Sequence, residues 1–104
     1  QKVLGQSALA LTTLTNVYTV PVGKSATISS ITVCNRAAAC TFRISVAIAG
    51  AVDSVSQYVF YDSYLDANST YIATIGITLS AGDIIRAYSS NSSTNINIFG
   101  MEVS

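Results

Sequence analysis

The stretch TFRISVAIA, residues 41–49, alternates apolar side chains with others at a period of two. The apolar members are Phe42, Ile44, Val46 and Ile48, and they alternate with Arg43, Ser45, Ala47 and Ala49. Successive side chains of a β-strand point to opposite faces, so this pattern predicts a half-buried strand. No part of the chain shows the apolar spacing of an amphipathic helix, which makes strands the expected element throughout.

Seven further segments are rich in β-branched or aromatic residues and are bounded by turn-forming residues. They span residues 2–6, 15–20, 25–35, 57–62, 70–79, 84–89 and 96–103. Seven to eight short strands at this spacing predict a single-domain, all-β, antiparallel β-sandwich, either immunoglobulin-like or a jelly roll. Residues 1–13 are predicted to form an extended N-terminal arm or a short strand, and residues 14–104 the sandwich domain.

Local signals refine this prediction. Pro21 and Gly23 predict one turn, and Gly82 predicts another within SAGD, residues 80–83. The alternation shifts phase between Ile28 and Ile31, which indicates a β-bulge at Ser29 and Ser30 or a strand that changes partner. A regular strand over residues 57–62 would place Tyr58 and Phe60 on one face, and Val59 and Tyr61 on the other. Residues 91–95 are polar and are expected to form a loop.

The composition excludes several classes of function. Charged residues make up 10% of the 104 residues, the formal net charge is zero, and histidine is absent. Histidine-dependent nucleophilic catalysis and histidine-ligated zinc are therefore excluded. A chain with no basic excess is a poor partner for nucleic acid or for an anionic membrane, and no stretch is apolar enough to span a bilayer. We expect no enzymatic activity, no metal and no cofactor.

Cys34 and Cys40 flank a short predicted loop between consecutive strands. If their Cα atoms approach within about 6 Å, a disulfide is geometrically allowed. The alternative is two reduced thiols that behave as small hydrophobic residues. Their spacing is not that of a redox-active C-x-x-C motif.

Three arginines and two tyrosines are candidate interface residues. Arg43 and Arg86 lie within predicted strands, where an arginine pairs with a carboxylate, runs along the sheet face or anchors a protein contact. Arg36 follows a strand. Tyr61 and Tyr64 belong to a cluster with Tyr58, and tyrosine suits carbohydrate stacking and protein interfaces alike. For Tyr58 the core rim is the favoured place.

The carboxylates admit a functional and a structural interpretation. Asp62 and Asp66 are close enough in sequence to serve as a glycosidase pair or to bind calcium. Beside turn residues, however, an aspartate more often caps its own backbone, and this is the interpretation that we favour for Asp66 and Asp83.

Short motifs spread along nearly the whole chain carry a family resemblance. They are KVLGQS at 2–7, YTVP at 18–21, ITVCNR at 31–36, TFRI at 41–44, AGA at 49–51, YD at 61–62, GITL at 76–79, AGD at 81–83, FG at 99–100 and EVS at 102–104. Together they resemble small virion structural proteins of tailed bacteriophages, particularly marine and cyanobacterial ones. In that family the position of Cys34 is regularly cysteine and that of Cys40 is not, and phage proteins mature in a reducing cytoplasm.

The resemblance implies a capsid decoration (cement) protein that is made in the host bacterial cytoplasm and sits on the capsid exterior. It implies a homotrimer that contacts the major capsid protein or another virion protein across capsomer seams. The alternative that it leaves open is a fibre, neck or tail component with a receptor- or carbohydrate-binding role. The N-terminal arm is expected to reach a neighbouring molecule as an added strand.

Overall fold

A computed structural model of the chain describes residues 2–104 and shows an all-β protein. Its nine strands are β1 Lys2–Ala8, β2 Thr15–Thr19, β3 Ser25–Asn35, β4 Cys40–Ala47, β5 Tyr58–Leu65, β6 Thr70–Ala73, β7 Ile77–Leu79, β8 Ile84–Ser89 and β9 Thr94–Val103. Two single-turn 3-10 helices, Ile48–Gly50 and Val55–Gln57, lie in the connection between β4 and β5.

The strands form two antiparallel sheets. One has the order β1-β9-β3-β6, with β7 also paired to β3, and the other has the order β2-β8-β4-β5. The pairs are nested along the chain: β4 with β5, then β3 with β6 and β7, then β2 with β8, and finally β1 with β9. Successive pairs alternate between the two sheets. This is the topology of a jelly roll, so the immunoglobulin-like alternative is wrong.

The core lies between the two sheets and is built from the inward positions of both. Its largest fully buried side chains are aliphatic or aromatic: Phe42, Ile28, Ile31, Ile44, Ile85, Ile96, Ile98, Val20 and Val33. Phe42 and Ile44 come from the alternating stretch that predicts the fold. Burial of such side chains contributes about 25 cal/mol per Å² of apolar surface, which makes this layer the main source of stability.

The antiparallel sandwich is confirmed, with more strands than the seven to eight predicted. The segment over residues 70–79 is broken at 74–76 into β6 and β7, because β3 is long enough to pair with both in succession. The predicted bulge is confirmed by a register shift between Ile28 and Ser30. Both predicted turns are confirmed, with a positive φ at Gly23 and at Gly82.

The N-terminal segment is part of the sandwich in this structure. β1 is an edge strand that pairs with β9 of the same chain, and Leu9, only 2% exposed, packs in the core. Gln1, the first residue of the predicted arm, lies outside the described residues.

One end of the sandwich is closed by a buried polar cluster around Asn35. Its side-chain amide donates to the carbonyls of Ala38 and Asp66, and its side-chain oxygen accepts from the Ala37 backbone N–H. Asn91 donates to the same oxygen. These contacts fix the connections β3–β4, β5–β6 and β8–β9 to one another.

Candidate functional site

A cluster of aromatic and charged side chains lies on the outer face of the β2-β8-β4-β5 sheet. Its centre is Arg43 on β4. The guanidinium carbon lies 4.3 Å from the ring centroid of Tyr61 on β5 and 4.4 Å from that of Tyr88 on β8. Nε and Nη2 donate to the two carboxylate oxygens of Asp62 at 2.6 and 3.2 Å. The arginine therefore binds one carboxylate in a fork-like geometry while it stacks on two rings.

Irregular pairing between β4 and β5 creates this cluster. The register shifts between Phe42 and Ile44 and again between Ile44 and Ser45, so β5 carries extra residues at both points. Asp62 has φ 50°, a left-handed conformation that is uncommon outside glycine. Bulges re-aim side chains, and here they place Tyr58 and Tyr61 on the same face. The sequence prediction that separated these two residues is therefore wrong.

A shallow cleft of about 430 Å³ opens beside the arginine. It is lined by Arg43, Asp53, Ser54, Val55, Tyr58 and Tyr61. The rings of Tyr58 and Tyr61 meet edge to face, with centroids 5.0 Å apart. The Tyr58 hydroxyl donates to Asp53 Oδ2 at 3.2 Å. The cleft thus combines aromatic surface with hydrogen-bonding groups, and we call it the tyrosine cleft.

The electrostatics of the cluster follow from these contacts. The hydrogen bond from Arg43 lowers the pKa of the Asp62 carboxyl, and the same contact raises the pKa of Arg43. Burial, followed by the hydrogen bond to Asp53, raises the pKa of Tyr58. At neutral pH the Arg43–Asp62 pair is therefore fully ionised, and the tyrosine hydroxyl keeps its proton.

The segment 48–57 covers the rest of this outer face. Arg86 on β8 donates to the carbonyl of Ala51 at 2.8 Å and to Asn16 Oδ1 at 2.9 Å. Asp83 accepts from the backbone N–H groups of Ala49 and Ser80, both at 2.8 Å. The bond to Ser80 is the turn cap that the sequence predicts for Asp83. Its bond to Ala49 also anchors the covering segment.

The structure brings only some of the predicted interface residues together. Arg43 and Tyr61 touch each other, and Arg86 lies on the same sheet. Tyr64 lies further along β5, where it is 68% exposed and pairs with Thr41 of β4. Arg36 lies at the other sheet, where its Nε donates to Asn95 Oδ1 at 3.2 Å. Sequence reasoning did not assign Asp53, Tyr88 or Asp62 to the cluster, although the clustering of tyrosines between residues 58 and 64 was a signal for its place.

Both cysteines are free thiols in this structure. Cys34 occupies an outward position on β3, whereas Cys40 is buried at the start of β4. The Cys40 sulfur lies 3.5 Å from Thr94 Oγ1 and 3.8 Å from Ser89 Oγ. The two thiols therefore belong to different sheets and different environments.

The outer face of the β1-β9-β3-β6 sheet carries fewer charges than the outer face of the β2-β8-β4-β5 sheet. The charged residues on its strands are Lys2 and Glu102, which take inward register positions at one end and form an ion pair at 3.2 Å. Hydroxyl, amide and apolar side chains occupy the outward positions. Exposed apolar members include Val3, Met101 and Ile72, and Ile72 is 63% exposed. No outward-facing charged residue occurs on these strands within residues 2–104. Arg36, which directly follows β3, donates to the outward Asn95 and places a charge at one end of this face.

A second cleft, of about 520 Å³, lies where the free edges of the two sheets approach each other. Most of its lining is aliphatic: Val46, Ile48, Val59, Ile75, Ile77 and Leu79. Asp83 also borders the cleft, and both of its carboxylate oxygens already accept backbone hydrogen bonds. This region extends the apolar surface that the protein offers to solvent.

Fold and site together define a small jelly-roll protein. One outer face carries the aromatic and charged cluster, and the strands of the other present no outward charge among the described residues. No family model matches the chain, and neither curated proteins nor solved structures provide a match. Within residues 2–104 no helix has the length and apolar character needed to cross a membrane, and no three potential metal ligands cluster.

Proposed function

We propose that this protein is a non-enzymatic structural component of a bacteriophage virion. Its proposed role is that of a decoration (cement) protein on the capsid exterior, made in the host bacterial cytoplasm. It associates as a homotrimer and binds the major capsid protein across the seams between capsomers. The resemblance of its sequence motifs to virion proteins prompts this assignment.

The observation that carries the proposal is the uncharged outer face of the β1-β9-β3-β6 sheet. Interface cores are depleted of charged residues, because a charge that loses water must be compensated by a partner. The hydroxyl, amide and apolar groups that these strands present can be covered without such a cost. Ile72 and Met101 supply exposed apolar area on it, as is typical of contact surfaces.

A cement protein acts through mass action. A molecule that binds only the assembled shell stabilises that shell by an amount that grows with its free concentration. Many weak sites on one particle act together, so each contact needs only a modest area. The jelly roll suits this role because its two sheets present broad outer faces on a rigid core.

The first experiment measures self-association. Size-exclusion chromatography with light scattering is expected to give three times the 10.9 kDa chain mass. Ile72→Lys places a charge on the proposed contact face and is expected to yield monomers. Val22→Lys is the matched control, because Val22 is 95% exposed in the turn before β3 and is expected to leave the mass unchanged. A monomeric wild-type protein at all concentrations would contradict the trimer.

The second experiment locates the protein on a particle. Antibodies against the recombinant chain, used in immunogold electron microscopy of particles of the phage that encodes it, are expected to label the capsid surface. Labelling confined to the tail, neck or fibres would favour the alternative role in receptor binding. A virion without any label would contradict both.

A further inference from the structure

The tyrosine cleft has no part in the virion role proposed above, and it combines features that suit a small ligand. It lies on the opposite sheet from the uncharged face, and it opens to solvent beside Tyr61. A cleft with exposed aromatic rings and a few convergent polar groups is a typical ligand site. The question is which ligand its groups match.

The aromatic part of the cleft is held by contacts within the chain. Tyr61 remains 54% exposed although the Arg43 guanidinium stacks against its ring at 4.3 Å and the Tyr58 ring meets it at an interplanar angle of 83°. Arg43 is itself held by two hydrogen bonds to Asp62. A ring that is already fixed loses little conformational freedom when a ligand stacks on it, which favours binding.

The polar part of the cleft matches vicinal hydroxyl groups. Asp53 Oδ2 accepts the Tyr58 hydroxyl, and a carboxylate has lone pairs on both oxygens for further donors. The Ser54 hydroxyl, on the same rim, already shares a hydrogen bond with Ser56 Oγ at 3.3 Å and has further acceptor capacity for a ligand hydroxyl. Acceptors and donors side by side, next to an exposed ring, are the groups that bind the hydroxyls and the C–H face of a pyranose.

The charge of the cleft selects among sugars. Asp62 neutralises Arg43, so the cleft retains the negative charge of Asp53. A carboxylate in the lining of the cleft repels sialic and uronic acids, which carry a like charge. We propose that the tyrosine cleft binds a neutral hexose unit of a glycan, with the sugar stacked on Tyr61 and its hydroxyls bonded to Asp53 and Ser54.

Irregular backbone geometry in β5 forms the cleft. The left-handed conformation of Asp62 and the two register shifts of β5 occur at this place. Bulges re-aim side chains. Without these shifts, Tyr58 and Tyr61 would lie on opposite faces of the strand.

The test uses an array of immobilised neutral glycans that end in galactose, glucose, mannose or N-acetylglucosamine, together with sialylated and uronic-acid glycans. Binding to one or more of the neutral glycans and none to the acidic glycans is expected. Titration of the best neutral glycan should show binding about tenfold weaker for Tyr61→Ala and unchanged for Tyr61→Phe, which retains the ring. Asp53→Asn is expected to weaken binding of the neutral glycan and to allow some binding of the acidic glycans.

Tyr64→Ala is the matched control, because Tyr64 is an exposed tyrosine on the same strand and does not line the cleft. It is expected to bind as the wild type does. Equal losses for Tyr64→Ala and Tyr61→Ala, an array without neutral hits, or a preference for acidic glycans would each overturn the proposal. So would a change in oligomeric mass for Tyr61→Ala without glycan binding, because the cleft would then be a protein contact.

Discussion

The two outer faces of the sandwich are built on opposite principles. On the β2-β8-β4-β5 sheet, side chains are tied to one another and to the covering segment 48–57, with Arg43, Arg86 and Asp62 as charged members. On the strands of the β1-β9-β3-β6 sheet, outward side chains are uncharged, and they meet through neutral contacts such as the hydrogen bond from Gln6 to Asn97 at 2.7 Å. We call the outer face of the β2-β8-β4-β5 sheet the tied face, because its side chains are held by contacts within the chain. We call the outer face of the β1-β9-β3-β6 sheet the smooth face.

Because of this contrast, we expect substitutions on the two faces to affect different properties of the protein. Substitutions on the tied face remove contacts within the chain, so they should lower the free energy of unfolding. Substitutions on the smooth face remove few such contacts, so they should act mainly on association.

The largest effect on stability is expected for Asp83→Ala. Asp83 is nearly buried and accepts from the N–H groups of Ala49 and Ser80, which would lose their acceptor. We expect a loss of about 2–3 kcal/mol in the free energy of unfolding, measured by chemical denaturation. Asp66→Ala, at an exposed aspartate after β5, is the control and should change it by less than about 0.5 kcal/mol. Equal losses in the free energy of unfolding for the two variants would contradict the proposed contribution of the Asp83 hydrogen bonds.

A smaller effect is expected for Arg43→Ala. This change removes two cation–π contacts and a forked ion pair, together worth about 1–2 kcal/mol at a partly exposed site. Arg36→Ala is the counterpart at the smooth face, where the arginine makes a single hydrogen bond to Asn95, and it should cost no more than about 0.5 kcal/mol. Urea denaturation of both variants measures the difference, and a larger loss for Arg36 would reverse the comparison.

The smallest effect is a pH dependence at Asp62. Arg43 holds the pKa of this carboxyl below its ordinary value, so the folded state favours the ionised form. The resulting stabilisation is complete above the unfolded pKa of about 4 and is lost as the pH falls through the lowered folded pKa. Asp62→Asn should therefore be less stable than wild type at pH 7.

The two stability curves should converge below about pH 4. Thermal unfolding between pH 7 and pH 2 measures both. A constant gap between the curves would show that the substitution acts through shape and not through charge.

The sequence predicted the local features whose cause is local. A phase shift between Ile28 and Ile31 marks a bulge without knowledge of the partner strand, and Gly82 marks a turn through its own backbone freedom. The alternation over residues 41–49 likewise reports which side chains are buried. Strand order could not be predicted, because alternation specifies a face and not a partner.

The candidate site was only partly predictable for the same reason. The sequence singled out Arg43 and Tyr61, but their contact depends on irregular pairing between β4 and β5. Extra residues in β5 leave no periodic signal, and a positive φ at Asp62 has no signature that separates it from other aspartates. Asn35 is a parallel case: alternation places it in a strand, but its burial depends on backbone groups of the β3–β4 and β5–β6 connections and on the Asn91 side chain, which satisfy its amide.

The nested strand order has a consequence for synthesis. β9 lies between β1 and β3. Because β9 is synthesised last, β1 and β3 cannot pair with it until the whole chain has left the ribosome. The inner hairpin of β4 and β5 can form early, whereas the residues of β1 must pair with partners 87 to 98 positions downstream. Contacts of such long sequence separation slow folding, and they leave unpaired strand edges exposed on the nascent chain during translation.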